Sequence, residues 1–201
     1  MMALPTAVDV RAYLEGYGIT EEVLSDQWIN NTITREVVPF VETTIRQSLT
    51  EVKTVTERYS GTGENSLILH RRHIAELVKV EYIRHPGIAN VLYQEVELDG
   101  QKGIIFLTYE GAVFPRGDRN ISVTYSYGFS DPPADIKAAI EMMAGAKVLN
   151  FIGARTGGGS VSVQAHSRNF GPGGKYHDVI GPMFKSAYDL LRKYKTGVVG
   201  A

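Results

Sequence analysis

The chain has 201 residues, 43% hydrophobic and 21% charged, with a formal net charge of −1. Those proportions belong to a globular protein with room for one sizeable core. There is no cysteine, which excludes disulfides, thiolate metal sites and cysteine nucleophiles and fits assembly in a reducing cytoplasm. No window approaches the roughly 18 consecutive apolar residues of a membrane span, so no membrane association is expected. The opening MMALPTAVDVRAYLEG reads as lacking a signal peptide.

The first elements are helical. Asp9 is placed to cap a short helix through Leu14, which Gly16 or Gly18 stops. Thr20, with Glu21 and Glu22 behind it, opens a second helix carrying Val23, Leu24, Gln27 and Trp28. A third begins near Thr34 and bears Val37, Val41, Thr44, Ile45 and Ser48 on one face. Pro39 lies close to its start, so the helix either begins later or kinks there, and the sequence leaves both open.

From Val52 the period changes to two. Strands are predicted over residues 52–59, 66–69, 77–83, 91–98 and 104–107, with turns at Ser60-Gly61-Thr62-Gly63 and His85-Pro86-Gly87. Asp99-Gly100-Gln101-Lys102-Gly103 carries a hairpin signal, and residues 115–120 read as another turn. Ile121, Val123, Tyr125, Tyr127 and Phe129 then alternate with Ser122, Thr124, Ser126 and Gly128, a strand with one large apolar face. Ser130-Asp131-Pro132-Pro133 ends that strand and starts a helix over residues 134–152, striped by Ile136, Ala139, Ile140, Met143 and Ala146.

After this helix the composition shifts. Thr156 to Ser160 reads as a hinge built on Gly157, Gly158 and Gly159, and residues 167–175 form a second Gly/Pro-rich loop. Val161, Val163 and Ala165 alternate briefly between them. A last amphipathic helix over residues 176–194 carries Val179, Met183, Phe184, Ala187, Tyr188 and Leu191 as its apolar stripe. Residues 151–201 hold seven basic side chains against only Asp178 and Asp189, whereas the rest of the chain is acidic. That polarity points the tail at something negative.

Catalytic and cofactor motifs are missing. Gly157 to Ser160 lacks the spacing and following lysine of a phosphate-binding loop, so a hinge outweighs a nucleotide site. His70-Arg71-Arg72-His73 would splay its histidines on a strand or turn, with the arginines salt-bridged to neighbours, so neither a metal nor an acid-base role is expected. Aromatics interleave with the basic residues of the tail, an arrangement that can grip single strands. They fall on the apolar stripe, however, and burial explains them better.

The order of pieces carries a resemblance. It runs from short helices to Arg58-Tyr59-Ser60-Gly61-Thr62-Gly63, then Ser66-Leu67-Ile68-Leu69-His70-Arg71-Arg72-His73-Ile74 and Val78-Lys79-Val80. Asn120-Ile121-Ser122-Val123-Thr124-Tyr125-Ser126-Tyr127-Gly128-Phe129 and the helix from Pro132-Pro133-Ala134-Asp135-Ile136 complete it. Over residues 8–152 the chain resembles the head–tail connector (adaptor, head-completion) proteins of tailed bacteriophages, departing at His73, where that pattern favours proline. The resemblance implies a non-enzymatic virion protein without cofactor. It would be made in the host cytoplasm and form a ring of about twelve copies at the neck. The ring would dock on the portal protein, receive a tail or stopper protein, and pass packaged DNA without sequence-specific binding.

The expected fold is α+β: a helical bundle from residues 8–50 and 133–152, an inserted antiparallel β-unit at 52–129, and a C-terminal arm at 153–201. Within the arm, Val179, Met183, Phe184, Lys185, Tyr188, Leu191, Arg192, Lys193 and Lys195 are the candidate portal-docking residues. Deleting residues 176–201 is then expected to leave a folded protein that no longer binds portal. Core completion by the last helix is the competing reading. A tail-completion or tail-terminator protein is the alternative function, and a small enzyme or ligand-binding domain a remoter one.

Overall fold

The computed structural model describes residues 4–83, 91–157, 161–163, 166–168 and 176–195. The fold is α+β. The chain divides into a helical unit, built from the segments up to Ile45 and from Asp131 to Lys195, and a β-unit of Arg46–Ser130 inserted between them.

In the helical unit, α1 (Ala7–Tyr13) begins two residues before Asp9. Asp9 does not cap from outside. It sits at the third helical position and accepts from the amide and hydroxyl of Thr6 at 2.7 and 2.8 Å. Those bonds hold its carboxyl below the usual carboxylate range. Gly18, at φ +66°, closes the 3-10 turn Glu15–Tyr17 that follows.

The second helix starts later than Thr20. α2 (Asp26–Thr32) is capped by Ser25, whose hydroxyl accepts from the Trp28 amide at 3.4 Å. Arg11 explains the delay. Its guanidinium binds Asp26 at 2.7 Å and also donates to the carbonyls of Leu24 and Ile19, tying the intervening residues into turns.

Pro39 neither delays nor breaks the third helix. α2 runs through a π-turn, Ile33–Val37, into α3 (Val38–Ile45), with the Val38 amide bonded to the Ile33 carbonyl. The wider turn lies just ahead of Pro39, where the proline ring would otherwise clash with an α-helical carbonyl.

The long helix α4 (Ala134–Gly157) buries Ile136, Ala139, Ile140, Met143 and Ala146 as predicted. It continues five residues past the expected end at 152. The extension contains two favourable helix residues, Ala154 and Arg155, and Arg155 lies over the Phe151 ring at 5.6 Å. Helix α1 packs on α4, and α3 and α4 both pack on α5 (His177–Arg192), which comes after the short hairpin β8 (Val161–Val163) and β9 (His166–Arg168).

The β-unit holds two sheets. The first has the order β1 (Lys53–Gly61), β7 (Gly117–Tyr127), β3 (Ile74–Tyr82), β4 (Val91–Leu92), all antiparallel. The second is β2 (Ser66–Ile68), β6 (Ile104–Leu107), β5 (Val96–Asp99). One apolar cluster joins them: Tyr59, Val80, Ile121, Val123 and Tyr125 from the first, and Leu67, Ile105 and Leu107 from the second, with Phe114 from a connection.

The expected single strand over 91–98 is two strands in different sheets, because Val91 pairs with Tyr82 while Val96 pairs with Leu107. Residues 117–120, expected as turn, are already in β7. Asp118 accepts from Ser60, and Asn120 accepts from the Gly61 amide while donating to the Pro115 carbonyl, which carries the ladder across a bulge. The predicted hairpin at 99–103 forms, with the Gly103 amide on the Asp99 carbonyl at 2.8 Å. Gly103 is required there: its φ is +68°, and a Cβ would lie 2.0 Å from the Arg71 carbonyl oxygen.

Candidate interaction surfaces

The nine candidate docking residues sort by how α5 meets its neighbours. The buried stripe of the C-terminal segment is Tyr176, Ile180, Met183, Ala187, Leu191 and Tyr194. Met183 and Leu191 are therefore core, whereas Val179, Phe184 and Tyr188 flank the stripe half-buried. Ile180 escapes the sequence reading because the adjacent apolar Val179 fits a stripe rotated by one position. Lys193 is tied to Asp135 on α4, and that hydrogen bond raises its pKa. Lys185, Arg192 and Lys195 are exposed, and among the described residues no carboxylate lies within ion-pair distance of them. Of the expected hinge, Gly157 ends α4, and Gly158 and Gly159 lie outside the described residues.

Positions 185, 188 and 192 follow the 3-4 spacing that keeps side chains on one helix face, and Lys195 comes just past the helix end. Phe40 of α3 adds to that face: its ring meets Tyr188 edge-on, centroids 5.8 Å apart at 88°, and is 42% exposed. The Lys195 ammonium lies 5.4 Å from the Tyr188 ring. The surface thus carries two aromatics and three cations, with exposed Asp189 the one acid among residues 185–195, a net positive composition suited to a partner that is acidic at its rim and apolar at its centre. Phe40 could not be read from sequence, since only tertiary packing brings α3 beside α5.

The His70-to-His73 segment builds a polar clamp in the β-unit. Glu57 accepts from the hydroxyls of Tyr59 and Tyr125 at 2.5 and 2.6 Å, and its carboxylate lies 3.2 Å from His70 Nδ1. The His70 amide donates back to the Tyr59 hydroxyl at 3.0 Å, and the two rings stack at 4.5 Å. Burial opposes charge on Glu57, but the tyrosine hydroxyls and His70 outweigh it and hold its carboxyl below the ordinary range. Burial and the same carboxylate push both tyrosines up. Glu57 is thus committed to fixing the 70–73 connection to β1, and it was missed because its partners are 2, 13 and 68 residues away.

Arg71, expected in a salt bridge, finds other partners: it lies over Tyr127, 3.9 Å from the ring centroid, and donates to the Arg46 carbonyl at 2.8 Å. Arg72 appears in no ion pair among the described residues, and its backbone carbonyl accepts from Gln47. His73 has φ +52°, a backbone conformation that proline cannot adopt. Among the described residues, no three His, Asp or Glu side chains group to hold a metal ion, and no helix is long and apolar enough to cross a membrane.

No protein-family model and no curated protein matches the chain. Among solved structures it is similar to a chain of the virion of a native gene transfer agent (GTA) particle, with TM-score 0.52 and 13% identity, over 100% of this chain and 96% of that one. It is also similar to a chain from the neck of an empty GTA particle computed with C6 symmetry, with TM-score 0.49 and 14% identity, again over 100% and 96%. At such identity the likeness is one of fold. It spans both the helical unit and its β-insertion, so this chain shares a whole architecture with a virion component.

Proposed function

We propose that the protein is a non-enzymatic virion component of the neck, an adaptor that forms a ring and links the capsid portal to the tail while continuing the DNA channel. The observation that carries this reading is the end-to-end fold likeness to a chain of a GTA virion, 100% of one against 96% of the other. The connector-like order of motifs over residues 8–152 supports it independently, as does a clamp at Glu57 whose groups are all occupied in holding the fold. In the finer form of the proposal the ring has about twelve copies. The portal is met through the C-terminal segment 153–201, and a tail or stopper protein through another surface.

The direct test is to mix the purified protein with its cognate portal and view the product by electron microscopy. A ring of this chain stacked coaxially on the portal is expected. A chain that stays monomeric beside the portal and is missing from purified particles would contradict the proposal. A tail-terminator would form rings without any portal, which separates that alternative in the same experiment.

A further inference from the structure

The β-unit presents a rigid, exposed turn that the neck reading leaves unused. After β6 the chain makes a tight turn at Tyr109-Glu110-Gly111-Ala112, closed by the Ala112 amide on the Tyr109 carbonyl at 3.2 Å, with Gly111 at φ +75°. Its two stems are pinned: Leu107 and Phe114 donate to the carbonyls of Asn65 and Glu64 at 2.8 Å, and Thr108 to that of Glu95 at 3.2 Å. Beneath lie Leu107, Ala112 and Phe114, all buried.

On this anchored turn Tyr109 is 54% and Val113 47% exposed, beside exposed Glu64 and Glu110 and a shallow depression of about 570 Å³. Among the described residues neither glutamate has a cation within ion-pair distance. About half of Tyr109 and half of Val113 stay open on a turn whose stems are pinned, so the turn has the composition of a docking site.

Its complement is on the same chain. The α3–α5 face offers Lys185, Arg192 and Lys195 without a carboxylate partner among the described residues, with Phe40 and Tyr188 beside them, and Lys185 to Arg192 span about 10 Å of helix. We propose that these two surfaces meet between neighbouring copies. Glu64 and Glu110 of one copy approach Lys185, Arg192 and Lys195 of the next, and Tyr109 and Val113 pack on Phe40 and Tyr188. The contact is heterologous, joining two different faces, so every copy has one of each to offer and successive copies can close a ring. This inference rests on the neck reading and gives it a lateral interface. It assigns Lys185, Arg192 and Lys195 to a second copy of the chain and leaves the portal contact to other parts of segment 153–201.

The absence of cysteine makes the test clean. Full-length Glu110→Cys and Arg192→Cys variants are mixed with portal under mild oxidation. A disulfide-linked dimer is expected from the mixture and not from either variant alone, and a ladder beyond the dimer from the double variant. In parallel, the combined Lys185→Glu, Arg192→Glu and Lys195→Glu variant should lose about tenfold in self-association, as two modest exposed pairs turned repulsive imply. Joining it with Glu64→Lys and Glu110→Lys should restore assembly. Rings seen by microscopy without the mixed crosslink overturn the contact and leave the neck reading standing, whereas no rings at all overturns both. Crosslinks within a single variant, or their loss on adding double-stranded DNA, would mark a self-complementary or a nucleic-acid contact and equally reject the proposal.

Discussion

Glu57 accepts two tyrosine hydroxyls from within an apolar cluster, so its loss orphans buried donors. Glu57→Ala is expected to destabilise the β-unit by about 2–3 kcal/mol, measured by denaturant unfolding. The same site sets a pH dependence. The folded pKa of Glu57 is depressed below its unfolded value, so its contribution is fully present above the unfolded pKa of about 4.3 and is lost as pH falls through the folded value. Wild-type stability should therefore drop on acidification in that window, and Glu57→Gln should flatten part of the drop. An unchanged acid limb in the variant would remove Glu57 from the explanation. Gly103 makes a second residue-scale demand. Gly103→Ala combines a positive φ with a 2.0 Å approach to the Arg71 carbonyl and should cost about 3 kcal/mol, read as a lowered Tm. The hairpin at Gly103 was legible in sequence but its close approach to the Arg71 carbonyl, from another loop, was not, and Glu57 depends on a partner 68 positions away.

Among elements, periodicity served best where one face alone is buried. The apolar face of β7 and the stripe of α4 follow from alternation and from 3.6-residue spacing. Boundaries set by side-chain bonds could not be read so. Arg11 delays α2 to Asp26, Asp118 and Asn120 draw the turn before Ile121 into β7, and the two sheets divide the apparent strand over 91–98. In α5 the stripe was legible but its rotation was not, which exchanged Ile180 for Val179. The consequence is a concrete change of expectation. Six side chains from Tyr176 to Tyr194 are buried in the C-terminal segment, so deleting residues 176–201 should unfold or loosen the helical unit as well as abolish docking. Leu191→Ala, at a fully buried position, should cost about 2–5 kcal/mol in unfolding free energy. Lys195→Glu, on the exposed face, should stay within about 0.5 kcal/mol of wild type. Equal losses in the two variants would mean that α5 is not seated as described.

For the whole molecule, two different exposed surfaces on one chain suit the proposed ring subunit, and among the described residues no three His, Asp or Glu side chains group to hold a metal ion. The α+β class and the insertion of a β-unit between helices were readable from the order of elements, because the switch from period 3.6 to period two and back is abrupt at Val52 and Pro132. The proposed contact between copies was not, since it depends on exposure and on unpaired charge, which composition alone cannot assign. The central claim is that this chain joins head to tail by shape and charge without turning over any molecule. Its most direct test is removal of the gene from the producing genome, with particles counted by electron microscopy and transfer titre measured. Filled heads and free tails that fail to join, with titre restored by supplying the protein in trans, are predicted. Complete particles of undiminished titre in its absence would contradict the account.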